Sequence, residues 1–334
     1  MVLKTRLTEM LGITHPIISA PMATVSGGAL AAAVTTAGGL GLIGGGYGDR
    51  DWIERELRAA GNVRVGVGFI TWRLADRPEL LDLALEHAPA AIFLSFGDPA
   101  PFAARTKAAG VPVICQVQTL AHAHAAAAAG ADIIVAQGTE AGGHGGARTT
   151  LTLVPAVVDA VAPLPVVAAG GISDGRGLAA ALTLGAAGVL IGTRFFATTE
   201  ALGHDNTKAR LVSAGGDDTV RTSVFDIVRE LSWPSAYQIR TVRNAFSGRW
   251  HGNEDALRRE IETSSDSAGA DSGGTVSPVD AFHAALQAGD TEEGVVVGGQ
   301  GLDLVDAIEP AGDLVTRIVA DAERSLATAQ ALSG

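Results

Sequence analysis

Two stretches decide the fold: PVVAAGGISDG at residues 165–175 and GVLIGTR at residues 188–194. Each is a short apolar run that ends in glycine and is followed by a possible helix start. Backbone N–H groups at such strand ends, together with the positive end of a helix, favour the binding of a phosphate. In barrels of alternating strands and helices, the loops after strands seven and eight are the usual phosphate site. The number of strands before these loops therefore decides the architecture.

Eight apolar runs bounded by Gly, Pro or Asp precede or include these stretches. They cover residues 17–20, 40–43, 64–70, 91–95, 112–116, 132–136, 165–169 and 188–192. Segments of helical character lie between them, at residues 51–60, 79–87, 99–109, 120–129, 151–161 and 175–184. Such alternation predicts right-handed βαβ units around a parallel sheet. The sequence therefore predicts an α/β fold, a (β/α)8 TIM barrel.

The region after the eighth run is longer than a barrel needs, because one more helix would complete the fold. We expect residues 201–295 to form an inserted, mostly helical lid over the C-terminal mouth of the strands. Residues 1–200 and 296–334 would then form the barrel, with VVVGGQG at 295–301 as the return and an amphipathic final helix over 313–328. The polar, glycine-rich segment 264–274 is predicted to be a flexible surface loop.

Composition excludes several classes of protein. The chain has 334 residues, of which 47% are hydrophobic and 18% charged, so it can bury a sizeable core. A net charge of −12 argues against a nucleic-acid partner. No apolar run approaches the roughly 20 residues of a membrane span, and a single cysteine fits a reducing cytoplasm. We expect a cytoplasmic enzyme that acts on a small molecule, and the sequence does not predict its oligomeric state.

A glycine loop with one histidine, QGTEAGGHG at residues 137–145, follows the sixth apolar run. Glycines such as Gly142 and Gly143 let a flat ligand approach the backbone closely. His144 is the one group in this loop that exchanges protons near neutral pH. The layout is typical of a flavin site with His144 as a base. The alternative is a loop histidine whose ring is tied to a backbone carbonyl.

Strand ends offer further candidates for cofactor binding. Ala20, Pro21 and Met22 end the first strand with small and apolar side chains against which a flat ring could lie, although an ordinary strand-to-helix turn would look the same. Gln116 shares a face of the fifth strand with Gln118. Its amide could bond the polar edge of a flavin or simply another group of the barrel interior.

The two glycine-rich strand ends carry the predicted phosphate donors, which are N–H and hydroxyl groups of Gly170, Gly171, Gly192 and Thr193. Ala169, which precedes Gly170, is also predicted to bind the cofactor. Asp174 is predicted to cap the following helix. Arg194 remains open between a phosphate ligand, a substrate carboxylate ligand and a structural ion pair.

Other features are predicted to have no chemical role. The glycine cluster at 44–48 lacks the Lys-Ser/Thr of a P-loop and is interpreted as an entrance loop. Cys115 has no neighbouring His or Arg in sequence and is interpreted as a buried structural thiol. His122 and His124 lie two apart on a predicted helix and do not share a face, so no metal site is predicted.

Taken together, these motifs resemble the nitronate monooxygenase family, formerly called 2-nitropropane dioxygenases. The matching pieces are APM at 20–22, GVGF at 66–69, the loop 137–144, AAGGI at 168–172 and GTRF at 192–195. The resemblance spans residues 7–195 and resumes at 298–310. It implies non-covalent FMN, contact of Gln137 with FMN, no metal, and His144 positioned over the flavin. FMN-dependent enoyl-acyl-carrier-protein reductases and certain NADH:quinone reductases share the framework.

The resemblance implies an FMN-dependent enzyme that oxidises alkyl nitronates, and nitroalkanes, with O2 to carbonyl compounds and nitrite. One alternative is an NAD(P)H-dependent FMN reductase acting on a quinone or an enoyl thioester. Another is a barrel that binds a phosphorylated metabolite without redox chemistry. The chain departs from many relatives at Gln116, near which they carry a lysine, and at Gly145, where they carry an arginine. Both departures remove positive charge near the flavin.

Overall fold

The computed structural model describes residues 3–267 and 276–332. Eight parallel strands form one sheet, whose spatial order is β1, β9, β8, β6, β5, β4, β3 and β2. The backbone of Leu40, just before β2, exchanges hydrogen bonds with Ile17 and Ser19 of β1, which closes the sheet into a barrel. The barrel strands are β1 (Ile17–Ser19), β2 (Leu42–Gly44), β3 (Gly66–Ile70), β4 (Ile92–Ser95), β5 (Val113–Val117), β6 (Ile133–Gln137), β8 (Val166–Ala169) and β9 (Gly188–Ile191).

Helices surround this barrel, so the predicted (β/α)8 architecture is confirmed. The predicted helices agree with the structure to within about two residues at each end. The helices of the barrel region are α1 (Arg6–Leu11), α2 (Gly28–Thr36), α3 (Arg50–Ala59), α4 (Thr71–Asp76), α5 (Glu79–Glu86), α6 (Ala100–Ala108), α7 (Leu120–Ala128), α8 (Thr150–Val161), α9 (Gly175–Thr183) and α10 (Thr193–Phe196). The final helix, α16 (Ala311–Ala331), packs against α9 and α2.

The strands bury both faces, as period-two alternation requires. Ile18 and Leu190 point into the barrel interior, where they join a cluster with Phe93 and Val167. Their neighbours in sequence, such as Ile17, point outward into the larger cluster between strands and helices. Side chains therefore fill the interior of the barrel, and a cavity can form only at the ends of the strands.

The segment 201–295, predicted as a lid and called the lid below, contains five α-helices and two strands within its described residues. The helical character was predicted, and the strands were not. Its own core includes Phe225, Phe246 and Phe282. The elements are α11 (Asp205–Ser213), β10 (Thr219–Thr222), α12 (Val224–Val228), β11 (Gln238–Val242), α13 (Ala245–Trp250), α14 (Glu254–Ser267) and α15 (Pro278–Ala288). Of the predicted flexible loop 264–274, residues 264–267 belong to α14 and the rest lie outside the described residues.

A small sheet joins the lid to the barrel. The loop after β6 contains a short strand, β7 (Gly143–Gly145), which pairs antiparallel with β11, and β11 pairs with β10. In this ladder His144 lies opposite Ile239. The histidine of the glycine loop is thus held by backbone hydrogen bonds to the lid.

Candidate active site

A cavity of about 590 Å³, here called the inner cavity, lies between the C-terminal ends of the barrel strands and the lid. The residues predicted for catalysis or cofactor binding all line it. They are Ala20, Pro21, Met22, Gln116, Gln137, Gly142, Gly143, His144, Ala169, Gly170, Gly171, Gly192 and Thr193. The structure thus brings them together, and their individual roles stay predictions.

One end of the inner cavity is formed by backbone. Gly170 and Gly171 have φ angles of 101° and 72°, a left-handed conformation that favours glycine. None of the described backbone hydrogen bonds outside regular elements uses the N–H of Gly171, Gly192 or Thr193. Free N–H groups at neighbouring strand ends form a concave donor surface. This corner is therefore suited to an anion.

The return segment at 298–301 completes this corner. The sequence predicted the corner residues but not this contact. A Cβ added to Gly142 would lie 2.8 Å from the backbone N of Gly299, so the two loops touch. Gly299 N–H donates to Thr193 Oγ1 (3.1 Å), and Ser173 Oγ donates to the Gly301 carbonyl (3.0 Å). The glycines of the return segment were visible in the sequence, but their partners lie more than a hundred residues away.

Two residues beside the corner have structural roles. Asp174 caps α9, as predicted, by accepting from the N–H groups of Arg176 (3.0 Å) and Gly177 (3.2 Å). Arg194 is fully buried, bonds the Ala197 carbonyl (3.0 Å) and forms an ion pair with Glu309. Of the three roles left open for Arg194, the structure shows the ion pair.

Glutamines support the histidine loop from the strands below. Gln118 Nε2 donates to Gln137 Oε1 (2.9 Å), and Gln137 Nε2 donates to the backbone carbonyl of His144 (3.0 Å). Gln116 makes no side-chain hydrogen bond within the described residues, although it lines the cavity. Its amide is therefore available to a bound molecule, whereas that of Gln137 also positions the loop. Cys115, the preceding residue on β5, is buried as predicted, and burial raises the pKa of its thiol to about 12.

The His144 ring is held by the lid rather than by a backbone carbonyl. Its Nε2 lies 3.0 and 2.9 Å from the two carboxylate oxygens of Asp226 on α12. Trp233 stacks on the ring, with centroids 3.4 Å apart and planes 8° from parallel. Burial lowers the pKa of His144, the hydrogen bond to Asp226 raises it, and the charges of Arg229 and Arg221 lower it. Because the net shift is downward, the imidazole is neutral, and so able to accept a proton, at pH 7.

Lid residues around His144 were missed by the sequence analysis. The Tyr47 hydroxyl, in the loop after β2, accepts from Arg229 Nη2 (3.1 Å) and from Trp233 Nε1 (3.2 Å). Tyr47 therefore connects the predicted entrance loop to the lid. For Asp226 a signal did exist, because a lone charge inside the apolar run VFDIV at 224–228 must find a partner when buried. Trp233 and Arg229 had no comparable signal.

Arg221 on β10 places a positive charge beside Gly145, the position at which many relatives carry an arginine. A Cβ added to Gly145 would lie 3.3 Å from Arg221 Nη2, so the Arg221 guanidinium from β10 stands beside this position. It donates to the carbonyls of Gly145 (3.2 Å) and Thr139 (2.8 Å). Burial lowers the pKa of Arg221 to about 10, so it stays charged at pH 7. A cation is thus present beside the histidine loop.

The described part of the chain contains neither a metal-binding cluster nor a membrane-spanning helix. Across residues 3–267 and 276–332, no three His, Cys, Asp or Glu side chains come together in a way that could hold a metal ion. Among the helices in those same ranges, none combines the length and the apolar character needed to cross a bilayer.

Several known proteins are similar to this chain. The family model described as nitronate monooxygenase matches residues 4–84 and 62–321. A Mycobacterium tuberculosis protein named (3aS,4S,5R,7aS)-5-hydroxy-7a-methyl-1-oxo-octahydro-1H-indene-4-carboxyl-CoA dehydrogenase is 35% identical, over 99% of this chain and 99% of its own. A Neurospora crassa nitronate monooxygenase is 32% identical, over 95% of this chain and 91% of its own. The solved structure of FabK from Thermotoga maritima superposes with a TM-score of 0.83 at 31% identity, covering 98% of this chain and 99% of that one. The chain belongs to the nitronate monooxygenase family, a family of oxidoreductases.

Proposed function

We propose that this chain is an FMN-dependent nitronate monooxygenase, which uses O2 to oxidise alkyl nitronates to carbonyl compounds and nitrite. The observation that carries the proposal is the charge of the inner cavity. Its described lining includes Arg229, His144 and His204 but no Asp or Glu, although the whole chain has a net charge of −12. A nitronate is an anion, and so is a phosphate. Both can enter this cavity without meeting a carboxylate.

The residues present fit FMN. The corner formed by Gly170, Gly171, Gly192 and Thr193 offers free N–H groups to one phosphate, and no adenine-binding fingerprint was found in the sequence. Ala20, Pro21 and Met22 supply an apolar wall, and the free amide of Gln116 supplies a polar partner for the edge of a ring. FMN bound there would supply the redox centre between the substrate and O2.

His144 would act when the substrate is a neutral nitroalkane. A nitro group acidifies the adjacent C–H, so a neutral imidazole can remove that proton. The ring is buried and neutral, and Asp226 occupies its Nε2, which leaves Nδ1 for the substrate. Loss of a general base costs about 10² to 10⁴ in rate. A preformed nitronate has already lost its proton and does not need this step.

A second candidate function, redox chemistry on an acyl thioester, is favoured by a separate observation. The inner cavity also has an apolar wall that includes Val25, Phe196, Leu286 and Val295. This wall could receive a bulkier apolar group than a small nitronate carries. The Mycobacterium tuberculosis relative, which spans nearly the whole chain, is named for a polycyclic carboxyl-CoA substrate.

One experiment separates the two. Flavin-loaded protein is mixed anaerobically with an alkyl nitronate, and separately with NADH, NADPH and a hydroxyacyl-CoA or enoyl-CoA, while flavin absorbance is followed. We expect rapid bleaching by the nitronate and, in air, nitrite release in proportion to turnover. Bleaching by NADPH or a hydroxyacyl-CoA without any response to the nitronate would replace the first proposal with the second.

A further inference from the structure

Asp226 is a buried carboxylate whose role the family match does not define. Its side chain is 7% exposed, as is that of His144, and both of its oxygens lie within 3.0 Å of His144 Nε2. An ionised carboxylate only accepts hydrogen bonds, so Nε2 carries the hydrogen. Nδ1 makes no hydrogen bond within the described residues. Asp226 therefore selects which nitrogen of the ring is free to accept a proton.

His144 and Asp226 line two different cavities. His144 lines the inner cavity. Asp226 lines a second cavity of about 480 Å³ on the other side of the lid wall, here called the outer cavity. Trp233 lines both and stacks on the His144 ring, so it forms the wall between them. The hydrogen bond between His144 and Asp226 crosses this wall.

The outer cavity differs in charge from the inner one. Its lining includes the carboxylates of Asp226, Glu230 and Glu262 and the guanidinium of Arg258, whereas the described lining of the inner cavity includes no carboxylate. Glu230 is exposed to solvent. Asp226 therefore faces His144 on one side and the outer cavity on the other.

We propose that Asp226 is the positioning residue of His144: it keeps the hydrogen of the neutral ring on Nε2 and stabilises the imidazolium that forms when Nδ1 accepts the substrate proton. The inference rests on the proposed function in that it assigns His144 as the base. In the step, the substrate C–H bond breaks and an N–H bond forms at His144 Nδ1, while Nε2–H stays bonded to the Asp226 carboxylate. The Nδ1 proton leaves to water when the product leaves, and the ring is again neutral with its hydrogen on Nε2.

The other groups that face His144 cannot take this role. Arg229, which follows α12 and lies 4.0 Å from Asp226, and Arg221 on β10 carry guanidinium groups, which have only hydrogen-bond donors and no acceptor. The Trp233 indole has only a donor N–H, and it is bonded to Tyr47. Among the charged groups that face the ring from α12, β10 and the loop after α12, Asp226 alone is an acceptor.

The first test needs no substrate. Protein labelled with 15N-histidine is titrated by NMR as the parent, as Asp226→Asn, and as Asp255→Asn, which makes the same chemical change at an exposed position of the lid. We expect neutral His144 to carry its hydrogen on Nε2 in the parent and in Asp255→Asn. In Asp226→Asn, the His144 titration should move to lower pH. Hydrogen on Nδ1 in the parent, or an unchanged titration in Asp226→Asn, would overturn the positioning role even if the enzyme proved inactive on nitronates.

The second test addresses the stabilising role of the carboxylate and uses flavin-loaded enzyme. Asp226→Ala should reduce kcat for a nitroalkane by about 10²-fold, with a much smaller effect on a preformed nitronate. Added formate should restore nitroalkane turnover at least several-fold and saturably, because the deleted side chain leaves a carboxylate-sized space open to the outer cavity. Asp255→Ala should not respond to formate. If Asp226→Ala does not fold, Asp226→Asn is used to compare the two substrates. Equal losses on both substrates, or turnover by Asp226→Ala that formate does not change, would refute the stabilising role of the Asp226 carboxylate.

Discussion

The two ends of the inner cavity are built in different ways. The anion corner, formed by Gly170, Gly171, Gly192 and Thr193, lies at the ends of β8 and β9, so each of these residues follows a strand of the barrel, and the return segment at 298–301 packs against them. The His144 end is assembled from the lid, and Asp226 comes from 82 residues further along the chain. Cofactor binding should therefore depend on local backbone geometry. Proton transfer should depend on how the lid docks through the pairing of β7 with β11.

The largest effect is expected at the anion corner. Gly171→Asp would place a carboxylate beside the proposed phosphate, and at 4 Å repulsion is roughly 4 kcal/mol at an effective dielectric near 20, about 10³-fold in affinity. A Cβ at this position would also lie 3.0 Å from Glu140 Cβ, so space is limited. We expect the purified variant to fold without FMN, which absorbance and circular dichroism would show together.

Gly171→Asn is the matched control, because asparagine has the same size and also tolerates the left-handed backbone. If charge is the cause, Gly171→Asn should retain most of its FMN. Loss of FMN in both variants would point to crowding against Glu140 instead. Unchanged FMN affinity in Gly171→Asp would mean that Gly171 is not at the phosphate.

The next effect, at the lid end, should leave the cofactor bound. His144→Asn keeps the size of the position and a hydrogen bond to Asp226 but cannot accept a proton. We expect nitroalkane oxidation to fall by about 10²-fold and oxidation of the preformed nitronate to fall less. Steady-state oxygen consumption with each substrate measures both. Equal losses would mean that His144 serves binding or electron transfer rather than proton removal.

The sequence predicted the anion corner of the inner cavity better than the His144 end. The anion corner was predicted because glycine at a strand end has a local physical meaning, and Gly170, Gly171, Gly192 and Thr193 all line the cavity. Asp226, Arg229 and Trp233 were not predicted, since contacts between a lid and a loop leave no periodic pattern. The strands β10 and β11 were missed for a related reason. They are four and five residues long and exist because they pair with β7, which is itself part of a glycine loop.

A smaller effect on nitroalkane oxidation is expected from substitution of Trp233, which forms the wall between the inner and outer cavities. Burial is the main cause of the lowered pKa of His144, and Trp233 covers one face of the ring. Trp233→Ala should admit water, raise that pKa, and move the acid limb of the nitroalkane pH–rate profile to higher pH. The extra loss at pH 6 relative to pH 8 should be at most about tenfold. Trp233→Phe keeps an aromatic face and should move the limb less, and identical profiles for all three proteins would exclude the burial argument.

The smallest effect is on stability, and it tests whether the lid holds His144 in its neutral form. The pKa of His144 in the folded chain is lowered from its usual value of 6.5. Protonation therefore favours the unfolded state, so the contribution to stability is complete above pH 6.5 and is lost as pH falls towards the folded pKa. Parent protein should lose stability over this window more steeply than His144→Asn, by about 2 °C in Tm. His124→Asn, at an exposed position on α7, is the control and should follow the parent. A parent that instead gained stability over His144→Asn on acidification would show that Asp226 holds the imidazole charged, and His144 could not then serve as a base at pH 7.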